Sequence, residues 1–202
     1  MVSNFQVKYS ETEEVLMDIC RLNSVSKVMV NHRLTVGVLG FAAALVLLKV
    51  SDFFVGNTPM RVLLYIGYWV LAFAIGEILG RTLGRSFAAT SGEGEGRQVY
   101  KQRIQKWGQP LEIKVEFYDD YFTTWAKGLQ KRKIPYADVL EMIESNETYA
   151  IIARSDDSPQ KKLYAFPKSG LQNISEEKFK EFVETKCVNA KKGCKTYNYK
   201  HK

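Results

Sequence analysis

Two long apolar stretches dominate the hydrophobic pattern of the chain. Residues 34–48 and 62–76 contain no charged side chain, and the polar break GNTPMR separates them. A bilayer core about 30 Å thick requires roughly 20 helical residues to cross it. The pattern therefore predicts a transmembrane hairpin over residues 34–80, with its two spans at residues 34–54 and 60–79.

Basic residues flank this predicted hairpin on both sides. Arg21, Lys27 and Arg33 precede the first span, and Arg81 and Arg85 follow the second. Because basic residues accumulate on the cytoplasmic side of membrane proteins, we expect a multi-pass protein of the cell membrane with both termini in the cytoplasm. A buried hairpin inside a larger fold is the weaker alternative, since a chain of 202 residues can bury little around two such helices.

Small residues recur every three or four positions along both apolar stretches. Such a stripe lets two helix backbones approach closely. We expect it to pack the two spans against each other, and a homodimer contact is the alternative. The residues predicted for this helix packing are Gly37, Gly40, Ala44, Ala72, Gly76, Gly80 and Gly84.

The segment before the first span, residues 1–33, predicts a strand followed by a helix. Apolar and polar residues alternate from Phe5 to Tyr9, which is typical of a short strand. Ser10 to Glu13 reads SETE, a capping-box pattern that opens a helix. Apolar residues at positions 15, 16, 19 and 22 share one face of that helix. We expect the helix to pack on the C-terminal domain or to lie along the membrane surface.

Residues 81–110 predict a basic linker helix. The sequence SGEGEG at residues 91–96 interrupts it, and its glycine content predicts a flexible joint. From Leu111 onward the hydrophobic period changes to two, which indicates half-buried strands. The predicted strands cover residues 111–117, 121–125, 131–134, 140–144, 148–154 and 163–166, with one helical turn at 136–139 and a polar loop at 155–162.

A helix capped by Ser175 follows these strands and carries Phe179, Phe182 and Val183 on one face. An antiparallel sheet must bury one face, and this helix can cover it. The sequence therefore predicts an α+β protein in which residues 111–187 form an antiparallel sheet domain closed by a C-terminal helix.

The net charge of +7 favours contact with anionic surfaces. Lysine and arginine residues near lipid headgroups gain about 1 kcal/mol each. We expect lipid contact from the basic hairpin formed by the predicted strands 121–125 and 131–134, and from the basic tail at residues 188–202. The alternative is that these charges are solvated and keep the domain soluble. No helix-turn-helix, zinc-finger or RNA-binding pattern is present, so no nucleic-acid partner is predicted. The residues predicted to contact lipid are Lys127, Lys131, Arg132, Lys133, Lys191, Lys192 and Lys195.

The sequence offers no catalytic or metal-binding set. Its two histidines, His32 and His201, have no plausible partner at a defined element. Its three cysteines, at positions 20, 187 and 194, form no C-x-x-C pair, and zinc needs several closely spaced ligands. We therefore predict a protein without enzymatic activity, metal or cofactor.

Three stretches of the C-terminal half, VEFYDDYFTTW, KIPYADVLEMIESNETYAII and YAFPKSGL, resemble the YcxB-like family of bacterial membrane proteins. The positions that carry the resemblance are Pro135 to Val139 and Phe166 to Lys168, with Tyr136 where the family often has Trp and Phe166 where it has Ile. The resemblance implies a two-helix membrane hairpin followed by a pleckstrin-homology-like domain. It implies architecture and no particular activity.

Together these patterns predict a non-catalytic integral membrane protein. Its cytoplasmic domain would act as a scaffold, a regulator or a lipid-surface sensor. The alternative is an accessory subunit of a membrane enzyme or transporter, acting with an unidentified membrane-protein partner.

Overall fold

The structure, a computed structural model, describes residues 3–51, 58–155, 158–190 and 193–197. These residues form an α+β fold with three α-helices, nine strands and two short 3-10 turns. In chain order the elements are β1 (Phe5–Ser10), α1 (Glu13–Ser51), α2 (Thr58–Trp107), β2 (Glu112–Phe117), β3 (Tyr121–Ala126), β4 (Arg132–Pro135), a 3-10 turn (Tyr136–Asp138), β5 (Val139–Glu144), β6 (Thr148–Ser155), β7 (Ser158–Pro167), a second 3-10 turn (Lys168–Gly170), β8 (Leu171–Gln172), α3 (Glu176–Lys186) and β9 (Cys194–Thr196).

The chain divides into two compact units. One combines Met1–Ser24 with Ala89–Lys202, and the other is Val25–Ala88. The first unit holds both sheets and the helical segments that pack on them. In the second, the residues that the structure describes belong to α1 and α2.

Two sheets form the first unit. One has the strand order β4-β3-β2-β1-β8 and the other has the order β7-β6-β5-β9. All neighbouring strands are antiparallel except β5 and β9, which are parallel. The single sheet expected from the sequence is therefore two sheets, although the predicted strands and the closing helix are confirmed within a few residues. The predicted polar loop at 155–162 is wrong for residues 158–162, which belong to β7.

Strand β1 lies inside the first sheet. It pairs with β2 along its whole length, from Phe5 opposite Phe117 to Ser10 opposite Glu112. On its other side it pairs with β8. The predicted domain bounds of 111–187 therefore omit an internal strand of the first sheet. That strand, β1, comes from the N-terminal segment.

The two sheets and α3 share one aromatic core. The Phe179 ring of α3 lies 5.5 Å from Phe117 in the first sheet and 5.8 Å from Phe166 in the second. It also lies 5.7 Å from Phe5 and 5.1 Å from Tyr149. These five side chains are buried. The helix therefore joins the inner faces of both sheets instead of covering one sheet from outside.

The start of α1 packs on the other face of the second sheet. Leu22 is fully buried in a cluster with Ile143 of β5 and Ala150 of β6. The Thr12 hydroxyl accepts a hydrogen bond from the Val15 amide at 3.4 Å, so Thr12 caps α1 and the predicted Ser10 cap is wrong. Because both faces of the second sheet are covered, β6 is a nearly continuous apolar run.

Both long helices are inserted between two strands that pair with each other. The Glu11 amide donates a hydrogen bond to the Leu111 carbonyl at 2.9 Å, immediately beyond the last β1–β2 pair. The chain thus leaves the sheet at residue 11, passes through α1 and α2, and returns at residue 111. The first residues of α1 and the last residues of α2 are held side by side by this pairing.

The stretch SGEGEG, predicted as a flexible joint, is helical and lies within α2. A Cβ atom built on Gly92 would lie 2.6 Å from the Arg21 Cα, and one on Gly96 would lie 2.6 Å from the Met17 Cα. Both distances are far below van der Waals contact. The two glycines, four residues apart, allow the backbones of α1 and α2 to touch at a place where no other residue fits.

In the unit Val25–Ala88, the structure describes the surroundings of some of the small residues predicted for helix packing. A Cβ on Gly40 would lie 3.8 Å from the Phe73 Cα, and Ala44 and Ala72 are buried. Gly76 and Gly84 are partly buried. Large apolar side chains of this unit, among them Val46, Leu63 and Val70, are exposed. The surroundings of Gly37 and Gly80 lie outside those the structure describes.

The predicted transmembrane spans are not borne out. In the part of the chain that the structure describes, none of the helices combines the length and the apolar character that crossing a bilayer requires. The uncharged stretches 34–48 and 62–76 end at Lys49 and Glu77, short of the about 20 apolar residues of a span. The transmembrane hairpin at 34–54 and 60–79, and the multi-pass membrane localisation built on it, are therefore wrong.

The predicted basic tail contains a strand. Residues 194–196 form β9 beside β5, and the Thr196 hydroxyl donates a hydrogen bond to Glu144 at 2.9 Å. The buried Glu144 carboxylate also binds Lys180 at 2.9 Å and Lys168 at 3.1 Å. Burial raises the pKa of Glu144, but these hydrogen bonds and charges outweigh burial and lower it overall. Glu144 thus ties the tail, α3 and the turn after β7 to the second sheet.

The contact between α1 and α2 makes a prediction about the glycines of α2. Gly92→Ala or Gly96→Ala should lower the free energy of unfolding by roughly 1–3 kcal/mol, because each added methyl group overlaps the backbone of α1. Gly94, in the same helix, has no atom within 4 Å of its Cβ position. Gly94→Ala should therefore stabilise the protein by up to about 1 kcal/mol through helix propensity. Urea denaturation measures the free energy of unfolding of all three variants. Equal changes in the three variants would contradict the close contact between α1 and α2.

A second prediction concerns the buried carboxylate of β5. Glu144→Gln should lower the free energy of unfolding by roughly 3 kcal/mol, because it removes the buried acid that binds Lys180 and that shares Lys168 with Glu176. The control is Glu141→Gln on the same strand, whose partner Lys195 is about half exposed; it should cost about 1 kcal/mol or less. Urea denaturation of both variants decides, and a Glu144 effect no larger than the Glu141 effect would show that the network is not stabilising.

Candidate functional site

An open groove lies where the edges of the two sheets face each other. Strand β4 is the edge of the first sheet and β7 is the edge of the second. The groove has a volume of about 760 Å³ and is lined by both edges, the β3–β4 turn and the end of α2. A second cavity of about 360 Å³ continues it along β4 and shares Gln130, Arg132, Lys162 and Tyr164 with it. We call these two cavities together the edge groove.

Cations from three strands converge on the edge groove. Arg132 of β4 lies opposite Thr124, another lining residue, so the two side chains share the face toward the groove. Lys162 of β7 lies opposite Ala153, whose side chain belongs to the core, so it too is on the inner face at the open edge. Arg154 of β6 lines the second cavity, where Asp138 is the acidic lining residue. The charge of this part of the groove is therefore positive.

Large apolar side chains are exposed along the same groove. Trp125 is 41% exposed, Leu129 is 47% exposed and Trp107 is 36% exposed. Trp107, the last residue of α2, packs against Gly128 in the β3–β4 turn, where a Cβ would lie 3.5 Å from its ring. Lys106 lies 5.3 Å from the centre of that ring. The groove thus combines cations with aromatic and aliphatic surface.

An ion pair lies at the inner end of the groove. Arg103 of α2 binds the carboxylate of Glu11, which is buried just after β1. Burial lowers the pKa of Arg103 from its ordinary value, although a guanidinium stays charged at any physiological pH. Nearby, the Tyr9 hydroxyl donates a hydrogen bond to the Ala165 carbonyl at 3.0 Å. Burial raises the pKa of Tyr9, with a smaller opposing effect of Arg103, so this hydroxyl stays neutral.

The residues predicted to contact lipid are only partly brought together. Lys131, Arg132 and Lys133 line the edge groove. However, Lys131 binds Glu116 at 2.6 Å, and Lys133 lies 3.8 Å from the centre of the Tyr121 ring. Arg132 is therefore the predicted residue most directly available to a ligand in the groove.

The other predicted lipid contacts lie elsewhere. Lys195 is on β9, at the edge of the second sheet opposite β7, and it pairs with Glu141. Lys127 is exposed in the β3–β4 turn and does not line the groove cavities described above. Lys191 and Lys192 lie outside the described residues. Lys195 therefore lies on a different strand edge from the groove, and lipid contact by these residues stays a prediction.

Sequence reasoning missed most of the groove. Arg154 precedes the predicted polar loop at 155–162 and Lys162 is its last residue, so that prediction did not place Lys162 on a strand beside β6. Trp107 ends α2 and Trp125 lies in β3, so no single helical or strand pattern in the sequence brings the two together. A weak signal was available, because Trp125 and Leu129 are large apolar residues beside a basic turn. Such residues are seldom exposed without a reason when they cluster.

The described residues contain no group of three or more His, Cys, Asp or Glu side chains able to hold a metal ion. Cys187 and Cys194 are unpaired thiols. Burial raises the pKa of each thiol to about 12, which removes them as nucleophiles near neutral pH.

Known proteins give no further guide to this groove. No protein family matches the chain, and no curated protein resembles it significantly. The resemblance to the YcxB-like family is therefore neither supported nor contradicted, and the groove must be interpreted from its own chemistry.

The Lys131–Glu116 pair generates a pH prediction. Hydrogen bonds from Lys114 and Lys131 lower the pKa of Glu116 to about 2. A lowered folded-state pKa adds stability above the unfolded value of about 4.3, and that stability is lost as the pH falls toward 2. At pH 6 the free energy of unfolding of the wild type should exceed that of Glu116→Gln by about 1 kcal/mol or less. This difference should vanish near pH 2. Urea denaturation at both pH values tests this, and a difference independent of pH would contradict the ion pair.

Proposed function

We propose that this protein is a non-catalytic module that binds anionic lipid headgroups at a membrane surface through its edge groove. The observation that carries the proposal is the convergence of Arg132, Arg154 and Lys162 beside exposed Trp125 and Leu129. Headgroup phosphates attract clustered cations, and tryptophan prefers the boundary between headgroups and acyl chains.

The aliphatic residue in the groove favours lipid over nucleic acid. Cations with tryptophan would also suit a single strand, since bases stack on aromatic rings. Leu129, however, lies at the tip of the β3–β4 turn, has no ring for stacking and is about half exposed. An exposed leucine beside cations suits shallow insertion between lipid headgroups, where its apolar surface leaves water.

The mode of binding follows from the location of the charges. Attraction by several cations is additive and is screened within about 10 Å at 0.1 M salt. The lipid surface would therefore hold the groove in a fixed orientation at low salt and release it at high salt. A scaffold or sensor needs this kind of reversible attachment and needs no catalytic group.

The test is sedimentation of the full chain with vesicles of phosphatidylcholine, with and without phosphatidylglycerol. Arg132→Gln/Lys162→Gln should weaken binding to the anionic vesicles about 30-fold, from a loss of about 1 kcal/mol for each cation. The matched control is Lys161→Gln/Lys178→Gln, which removes the same charge. Lys161 precedes Lys162 on β7 and its side chain leaves the opposite face, and Lys178 is exposed on α3.

Because apolar side chains are exposed elsewhere in the chain, only the difference between anionic and neutral vesicles counts. Equal binding to both kinds of vesicle would overturn the proposal. So would equal losses in the double variant and its control. Binding that a single-stranded oligonucleotide displaces, but anionic vesicles do not, would assign the groove to nucleic acid instead.

A further inference from the structure

A third cavity adjoins the edge groove in the same unit. It has a volume of about 310 Å³ and lies between the start of α1, the end of α2 and the strands β2, β3 and β7. We call it the inner chamber. Its volume is at the lower end of the range for ligand pockets, about 300–1,000 Å³.

The inner chamber opens onto the groove. The two cavities share Glu11, Arg103, Ile113, Thr124, Leu163 and Tyr164 as lining residues. The Arg103–Glu11 ion pair therefore lies at the junction between them. A molecule that occupied both cavities would pass this ion pair.

The walls that belong to the chamber alone are mostly apolar. They include Leu16 and Ile19 of α1, Val99 of α2 and Phe166 of β7. The Tyr9 hydroxyl is neutral and already donates its hydrogen bond to Ala165. Apolar walls of this kind favour an apolar guest over water.

The lining therefore changes in character from the groove to the chamber. The groove carries Arg132 and Lys162, Arg103 lines both cavities, and the residues that line the chamber alone are mostly apolar. We propose that the inner chamber takes the apolar chain of a single-chain anionic amphiphile, such as an alkyl phosphate or a fatty acid, and that the anionic head binds Arg103 and the groove cations. This proposal rests on the proposed function in one respect, the attraction of an anionic head to the cations of the groove. It differs because the apolar chain of the ligand leaves the bilayer and enters the chamber.

Glu11 sets the selectivity of this site. Its carboxylate neutralises Arg103 in the ligand-free protein, so an anionic head must compete with it for the guanidinium. A small anion gains little from that exchange. An amphiphile also buries its chain, and each buried methylene strengthens binding about fourfold.

The experiment is titration calorimetry of the full chain with dodecyl phosphate, butyl phosphate and dodecyl maltoside, each below its micelle concentration. Dodecyl phosphate should bind at least tenfold more tightly than either of the other two. Equal binding of dodecyl and butyl phosphate would show that no chain enters the chamber. Equal binding of dodecyl maltoside would show that the anionic head is not recognised. Either result overturns the proposal.

Variants at Val99 localise the chain, because Val99 lines the chamber and not the groove. Val99→Phe should fill the chamber and weaken dodecyl phosphate at least tenfold, while Val99→Ala should leave it nearly unchanged. Circular dichroism checks folding, and Ile19→Phe replaces Val99→Phe if that variant does not fold. A folded, chamber-filled variant that binds dodecyl phosphate as tightly as Val99→Ala overturns the proposal.

Vesicle binding separates this inference from the proposed function. Val99→Phe should bind anionic vesicles as the wild type does, whereas Leu129→Gln, which changes the groove and not the chamber, should weaken vesicle binding alone. Dependence on alkyl-chain length without vesicle binding would overturn the proposed function and leave the chamber site standing. Vesicle binding without dependence on alkyl-chain length would overturn the chamber site and leave the proposed function standing.

Discussion

The pairing of β1 between β2 and β8 is the constraint on which the first unit depends. Six residue pairs join β1 to β2, and the Glu11–Leu111 hydrogen bond extends the ladder by one step. This pairing makes one sheet from segments more than a hundred residues apart. It also brings the start of α1 beside the end of α2, where Gly92 and Gly96 let the two backbones meet. Without β1, the edges of β2 and β8 would lie open and Phe5 would leave the aromatic core.

The groove is a consequence of how the two sheets end. Their shared core is closed by α3 among the phenylalanine rings, but β4 and β7 are edges that do not pair with each other. Edge strands expose unpaired backbone groups, and charged side chains on them discourage pairing with another sheet. Arg132 and Lys162 meet that requirement on the two edges. The same two cations also give the opening between the sheets its positive charge, so one arrangement serves the stability of the fold and the chemistry of the groove.

Local patterns in the sequence were sufficient for most elements but not for their assembly. The period-two alternation from Leu111 and the Ser175 cap predicted strands and a helix within a few residues. The insertion of β1 could not be predicted, because a pairing over a hundred residues leaves no local trace. SGEGEG was misjudged because its composition resembles a flexible linker, while its real role depends on the helix beside it. Lys131 and Lys195 were predicted to contact lipid, and the acids that they bind, Glu116 and Glu141, became visible only in the folded structure.

The insertion of α1 and α2 between two paired strands also has a consequence for the order of folding. Strand β1 is synthesised first, but its partners β2 and β8 follow only after both long helices. Closing such a long loop costs entropy that is regained only when the strands pair, and proteins dominated by distant contacts fold slowly. The helices can form early from local contacts, whereas the first sheet must wait for its last strand. The rate-limiting step of folding should therefore be the capture of β1 by β2 and β8, with the helices already in place as the connection that brings them together.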